Sequence, residues 1–342
     1  MATFEWGDTF DSYQQASMYW NDPSNTMFKK WTSAPNSGFT VNHNYARPGS
    51  SGNGVVWSAG SADGACKLLP AGDQQTRCVG FWVKTSQYFS TTICRFDSEY
   101  NSEQVSLRTD ASNHLIVSRN GTTLFTSTNI LNTHTWYWME FKATINASTG
   151  VFEARVNGSS TGWIPQQTGQ NTRPTVTSYA SWLYLGATNA LFYFDDVVVA
   201  DDFMGPLVGS YLEPVGPGTY SQWTPNAGTN DAVVREATPD SDVTINYDAT
   251  SGHIDTFEMS KLPTPSGNIL GIQHVIVARQ DAGITRTIRP KQRTGSTDYN
   301  GTSRTLPASY VMITEAVPVD PSTSSAWTKS GLESAEFGYE NV

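Results

Sequence analysis

The residue pattern predicts an all-β chain in two domains. A sandwich or barrel is expected over residues 1–205, followed by a smaller β-rich domain over 206–342 with one short helix. Three observations carry this expectation. Apolar and polar residues alternate with period 2 in segment after segment, the signature of strands with one buried face. Gly, Asn, Asp and Pro clusters bound those segments every ~8–12 residues, the spacing of sandwiches and barrels. Charged residues make up only 15% of the chain while aromatics reach 12%, a balance that suits pleated, half-buried surfaces. At 342 residues the chain exceeds one ordinary core.

The elements follow in order. Cys78–Lys84 is a strand of largely apolar composition, and Val105–Arg108 and His114–Ser118 flank the turn-rich 109–113. Arg119-Asn120-Gly121 marks a tight hairpin, because Asn-Gly tolerates positive φ. Trp136–Ile145 is the longest strand candidate, with Tyr137, Met139 and Phe141 on one face and Trp138, Glu140 and Lys142 on the other. Ala147–Gly150 turns the chain into Val151–Val156, and Asn157-Gly158 turns it again. Ser181–Gly186 and Leu191–Ala200 complete the first domain, and Gly205–Ser210 reads as the linker. Beyond it, Tyr211–Gly228 is Pro- and Gly-rich. Asp242–Tyr247, His253–Met259, Gly271–Arg279, Tyr310–Ala316 and Phe337–Glu340 are strand candidates, and Gln280–Gly283 is expected to turn Gly271–Arg279 into a hairpin with Ile284–Arg293. Thr328 is the predicted N-cap of the one helix, with Trp327 and Leu332 as its hydrophobic staple.

Charge and cysteine usage bound the function. The net charge is −10, shared as −4 up to Gly205 and −6 after it. Such a surface repels phosphate backbones, so nucleic acid is excluded as an expected partner. No apolar run approaches the ~20 residues of a membrane-spanning helix, so membrane insertion is not expected. Met1–Asp8 shows neither the basic nor the apolar stretch of a secretory signal. Cys66, Cys78 and Cys94 are an odd number, and no essential disulfide is expected; Cys66 and Cys78 are the pair to consider should one form. The sequons at Asn120, Asn146, Asn157 and Asn300 are read as turn chemistry.

Several stretches together resemble the concanavalin A-like lectin/glucanase class in its LamG-type form. They are Phe10-Asp11-Ser12-Tyr13, Gly80–Lys84, Thr135–Phe141, Gly150–Gly158 and the closing Phe194-Asp195-Asp196-Val197-Val198-Val199. The resemblance implies a jelly roll of two antiparallel sheets, in a class whose members bind glycans or proteins and in some cases cleave glycans. The opening Trp6–Tyr13, with Thr297–Gly301, Asp320–Thr323 and Ala326–Thr328 in the second domain, is similar to virion proteins of tailed bacteriophages. That likeness implies a fibre, collar or capsid-decoration subunit, made in the host cytoplasm and exposed on the particle.

No catalytic set emerges. His253-Ile254-Asp255-Thr256-Phe257-Glu258 is the nearest string to a glucanase motif. It carries His in the nucleophile's place, and on a regular strand Asp255 and Glu258 face opposite sides. The chain has neither His-x-x-x-His nor Cys-x-x-Cys, which argues against zinc. Asp195 and Asp196 are the candidate metal ligands, for calcium; being adjacent, they are expected to point apart, and a structural carboxylate is the competing account. Trp163, in a Gly- and Pro-rich segment expected to be a loop, and Trp182 are the candidate glycan-stacking residues, with packing as the competing account. Arg289, Lys291 and Arg293 share one strand face and are the candidate interface residues, expected to meet acids such as Glu333, Glu336 or Glu340 of a neighbouring subunit.

The leading expectation is a non-enzymatic virion structural protein in a host-attachment role, with other virion proteins and a candidate cell-surface glycan as partners and no cofactor beyond the candidate calcium. A lectin-like adhesion module is the second reading, and a glycoside hydrolase, which needs two convergent carboxylates, the third. The second domain has strongly apolar strands and few elements to cover them. A homo-oligomer, specifically a trimer, is therefore expected to assemble through it.

Overall fold

The structure is a computed structural model describing residues 2–10, 16–18, 31–32, 39–48, 54–57, 65–87, 90–186, 192–235, 242–262, 267–281 and 283–342. Of the quoted opening phrase, Asp11-Ser12-Tyr13 lies outside the described residues, as do Leu191 and Ala282. The chain forms two compact units, Met1–Gly209 and Ser210–Val342.

The first unit is an antiparallel two-sheet sandwich. In chain order its strands are β1 (Phe4–Asp8), β2 (Ala16–Met18), β3 (Phe39–Asn42), β4 (Gly54–Trp57), β5 (Ala65–Leu68), β6 (Thr76–Thr85), β7 (Thr91–Asp97), β8 (Glu103–Thr109), β9 (His114–Arg119), β10 (Thr122–Ile130), β11 (Tyr137–Thr144), β12 (Gly150–Val156), β13 (Ser159–Gln170), β14 (Trp182–Leu185) and β15 (Phe192–Ala200). The larger sheet runs β13-β12-β11-β6-β15-β4-β3-β2, with β1 on β15; the smaller runs β10-β9-β8-β7-β14-β5. Period-2 alternation points Phe96 of β7 and Phe141 of β11 into the core, where their rings stack 5.7 Å apart across the sheets. All three cysteines are buried free thiols.

The Asn-Gly hairpins form as the sequence predicts. Asn120 and Gly121 join β9 to β10 at φ 42° and 82°, and Asn157 and Gly158 join β12 to β13 at 52° and 82°. Asn146 likewise serves its own turn, its Oδ1 accepting the Ser148 and Thr149 N–H groups at 3.0 Å each. The longest described strand is β13 rather than Trp136–Ile145. Its register shifts repeatedly against β12, so bulges absorb the Gly and Pro residues that make the segment read as a loop.

Segment 201–209 closes over the outer face of the larger sheet. Glu140 Oε1 accepts the Met204 and Gly205 N–H groups at 2.7 and 3.0 Å, and Trp82 Nε1 donates to Leu207 O at 2.8 Å. These bonds account for how Trp138 and Glu140, on the polar side of the predicted alternation, come to be wholly buried.

The second unit contains β16 (Pro214–Ser221), β17 (Thr224–Pro225), α1 (Asn230–Val234), β18 (Asn246–Tyr247), β19 (Ile254–Met259), β20 (Ile272–Ala278), β21 (Thr287–Thr294), β22 (Thr297–Asn300), β23 (Arg304–Thr305), β24 (Val311–Val317), α2 (Lys329–Ser334) and β25 (Glu336–Asn341). A sheet ordered β16-β19-β25-β21-β22 is its centre. β16 is an edge strand, the position that tolerates its Pro214 and Pro217. The predicted hairpin of 271–279 with 284–293 does not form: β20 pairs with β24, while β21 pairs with β25, β22 and β23. The predicted helix is α2, capped by Thr328, whose hydroxyl accepts the Gly331 N–H at 3.0 Å. Trp327 and Leu332 pack together beneath it. The five-residue α1 is a second short helix that no sequence signal marks.

Candidate functional site

On β7 and β14 the residues that alternate with the core point outward from the smaller sheet. Leu183 pairs with Phe96 on the buried side; Trp182 pairs with Asp97 and Tyr184 with Arg95 on the outer side. Across β5, Leu68 pairs with Trp182, and across β8, Glu103 pairs with Asp97. The β7–β8 hairpin is closed by two backbone bonds, Ser98 N to Ser102 O and Ser102 N to Glu99 O, both 3.0 Å. Asn101 takes the left-handed conformation at φ 59°, and the turn presents Tyr100 to solvent with 53% of its surface exposed.

An aromatic cluster results. The Tyr100 ring meets Trp182 edge to face at 5.6 Å and lies 6.2 Å from Tyr184. Trp182 is half-buried and Leu68 exposed, so the cluster offers an apolar surface to solvent. Tyr184 is buried beneath Arg95, whose Cζ sits 3.9 Å from the ring centre. Asn101 joins the two: its Oδ1 accepts from Tyr184 Oη and Arg95 Nη2, each at 2.9 Å, and its N–H donates to Tyr184 Oη at 3.1 Å.

Asp97 lies under this cluster and is wholly buried. Arg95 Nε approaches its Oδ1 to 3.1 Å, yet neither carboxylate oxygen receives a well-directed hydrogen bond. Burial pushes its pKa up to about 7; Arg95 draws it down and Glu103 adds to the rise. Glu103 is held as an acceptor by Ser106 Oγ at 2.9 Å and the Asn120 N–H at 3.1 Å. Asp97 and Glu103 are thus opposed carboxylates, one of them shut off from solvent.

The candidate residues read from the sequence divide among separate places. Trp182 belongs to the cluster. Trp163 does not: it lies half-buried in β13, in the other sheet, edge to face with Tyr137 at 6.3 Å. Asp195 and Asp196 do not point apart. A bulge in β15 and a φ of 47° at Asp196 turn both towards Arg47: Asp195 Oδ2 accepts its N–H at 3.1 Å and Asp196 Oδ2 its Nε at 3.0 Å. Asp196 Oδ1 also accepts the Gly209 N–H at 2.9 Å. Among the described residues no group of three or more His, Cys, Asp or Glu side chains is placed to hold a metal ion.

Arg289, Lys291 and Arg293 are already engaged within their own chain. Arg289 and Lys291 both bind Glu340, at 2.7 and 2.9 Å, and Arg293 binds Asp298 at 2.5 Å. Glu336, another expected partner of a neighbouring subunit, accepts from Thr219 and Thr256. The β21–β25 register sets Arg289 opposite Glu340 within the same chain. Asp255 of the glucanase-like string is a buried structural acceptor for the Gln222 and Trp223 N–H groups, at 2.6 and 2.9 Å, while Glu258 is exposed.

No family model matches the chain, and no curated protein matches it. Solved structures overlap it in part. A mutant of Trypanosoma rangeli sialidase displaying trans-sialidase activity shares 13% identity over 49% of this chain and 28% of its own, with a TM-score of 0.34. Domain 4 of an extracellular arabinanase from Geobacillus stearothermophilus, in complex with arabinotriose, shares 15% over 58% of this chain and 93% of its own, also at 0.34. An alginate lyase of polysaccharide lyase family 7 shares 12% over 47% and 81%, at 0.30. This chain therefore spans less than a third of the sialidase, and overlaps this loose carry no argument about what it does.

Proposed function

We propose that the chain is a non-enzymatic structural subunit of a virion whose first unit holds a cell-surface glycan on the outer face of its smaller sheet. The observation that supports glycan binding is the Tyr100–Trp182 pair, an exposed edge-to-face platform bordered by the polar groups of Asn101 and Arg95. Aromatic faces suit the apolar sides of sugar rings, and the amide and guanidinium suit their hydroxyls. The burial of Asp97 favours binding over hydrolysis, since a glycosidase needs both carboxylates at the scissile bond. The virion assignment rests on the sequence resemblance.

The second unit assembles the subunit into a homo-oligomer, a trimer, with other virion proteins as further partners. The outward Val275 of the two-stranded β20–β24 ribbon supports a covered face there, being 41% exposed. The glycan reading is tested by binding the full chain to an oligosaccharide array. Tyr100→Ala and Trp182→Ala are each expected to lose tenfold or more in affinity without loss of fold. Array binding that survives both substitutions would remove the reading. Mass spectrometry of purified particles tests the virion assignment, and light scattering at tens of micromolar tests the trimer.

A further inference from the structure

We propose that the Tyr100–Trp182 face is a proton-controlled site for carboxylate-bearing sugars, in which Arg95 takes the sugar carboxylate and Asp97 decides whether Arg95 is free to do so. The inference rests on the glycan reading above and names the ligand class and the control of that same face.

The geometry assigns Arg95 the anion-binding role. A guanidinium is a planar fork of donors that matches a carboxylate in two parallel bonds. Here it is held from below by the Tyr184 ring, whose centre lies 3.9 Å from Cζ, and from the side by Asn101 Oδ1 at 2.9 Å. The Arg95 side chain keeps 24% of its surface exposed, beside the Tyr100–Trp182 platform. A sugar stacked on that platform thus brings a ring substituent within reach of a pre-oriented cation.

Asp97 competes for the same guanidinium. It lies 3.1 Å from Arg95 Nε, wholly buried, with no well-directed hydrogen bond to either oxygen. A carboxylate in that condition is costly to ionise, which is how burial places its titration at about 7. The titratable groups acting on it are Arg95 from its own strand, Glu103 from β8 and Tyr184 from β14. Tyr184 is itself held neutral by burial; beyond it stands the buried thiol of Cys66 on β5, and Glu99 of the hairpin is exposed.

The sign follows. Below pH 7 Asp97 is neutral and the Arg95 charge is uncompensated at close range. Above pH 7 the ionised Asp97 pairs with Arg95 and repels an incoming carboxylate. Binding an acidic sugar therefore takes up a proton near neutrality and weakens as pH rises, by about tenfold for each pH unit that opposes it at most. Asp97 never touches the sugar; it is a positioning residue.

The test is calorimetric titration of the full chain with a panel of carboxylated oligosaccharides, oligogalacturonate among them, each beside its methyl ester as the uncharged counterpart. At least one acid is expected to bind more tightly than its ester at pH 5.5 and to weaken about tenfold by pH 8.5, while the ester's affinity stays flat. Asp97→Asn is expected to hold the low-pH affinity across the range, and Arg95→Gln to erase the preference for the acid. Esters bound as tightly as acids, or a flat profile for every acid, would overturn the proposal; both readings use wild-type protein and need no variant to fold. If only neutral sugars bind, through Trp182, the proposal fails and the glycan reading stands. If no sugar binds at either pH, both fail.

Discussion

Arg95 sits over Tyr184, Cζ 3.9 Å from the ring centre, and the two side chains share one acceptor, Asn101 Oδ1, at 2.9 Å from each. Ring, cation and hairpin therefore hold one another in place. Tyr184→Phe keeps the ring under the guanidinium but removes both hydroxyl bonds to Asn101. Urea denaturation is expected to show a loss of about 1 kcal/mol, the usual net worth of such bonds. Hydrogen exchange should quicken at Ser98–Ser102 ahead of the strands. Unchanged exchange in that hairpin would contradict the coupling.

Asp97 makes stability depend on pH in a stated direction. Its folded pKa, about 7, is raised above its unfolded value, so its contribution is complete below about pH 4 and is lost as pH rises through 7. Asp97→Asn removes the titration. The melting temperature of the variant relative to wild type is expected to rise from about pH 4 to pH 7, by several degrees, and to stay level above that. A constant difference across that range would mean that Asp97 ionises without cost.

What the sequence made legible is local. Asn120-Gly121 and Trp327–Leu332 announce a hairpin and a capped helix because the residues that decide them are within five positions of one another. The 280–283 turn misleads because apolar alternation specifies a strand but not its partner; β21 finds β25 some fifty residues on. Trp182 was readable as a candidate, but its companions were not. Strand Thr91–Asp97 escapes the sequence reading, and with it Arg95 and Asp97. Tyr100 sits in a polar Ser-Glu-Tyr-Asn turn more than eighty residues from Trp182, and that lone aromatic in a hairpin tip was the one available signal.

Gly80 is required by close approach rather than by φ. A Cβ there would stand 2.5 Å from the Trp138 ring and 3.1 Å from Met204 Cε, in the segment that Glu140 holds through its bonds to Met204 and Gly205. Gly80→Ala is expected to cost about 1–3 kcal/mol by overpacking. Limited proteolysis should then cut within 203–209 faster than in wild type. Stability and cleavage that both match wild type would show that Trp138 has room to shift.

The second unit carries its basic stripe as an internal ion cluster, and this sets a test separating folding from assembly. Glu340 accepts Arg289 Nη2 at 2.7 Å and Lys291 Nζ at 2.9 Å, while Lys291 also donates to Asn300 Oδ1 at 2.8 Å. Arg289 and Lys291 hold the Glu340 carboxyl below its ordinary pKa despite burial, so the cluster's contribution is present at neutral pH and fades as pH falls through the acidic range. Glu340→Gln leaves Lys291, even more buried than its partner, without the carboxylate it binds directly. Removing one member of such a pair is more damaging than never having built it, and about 2–3 kcal/mol is expected. The loss should shrink as pH falls through the acidic range, where wild-type Glu340 also loses its charge. If the stripe faced a neighbouring subunit instead, the substitution would change the association constant and leave the isolated unit's melting unaffected. Thermal melting read beside light scattering on the same samples distinguishes the two outcomes. An intact melting curve with a weakened oligomer would contradict the intrachain pairing.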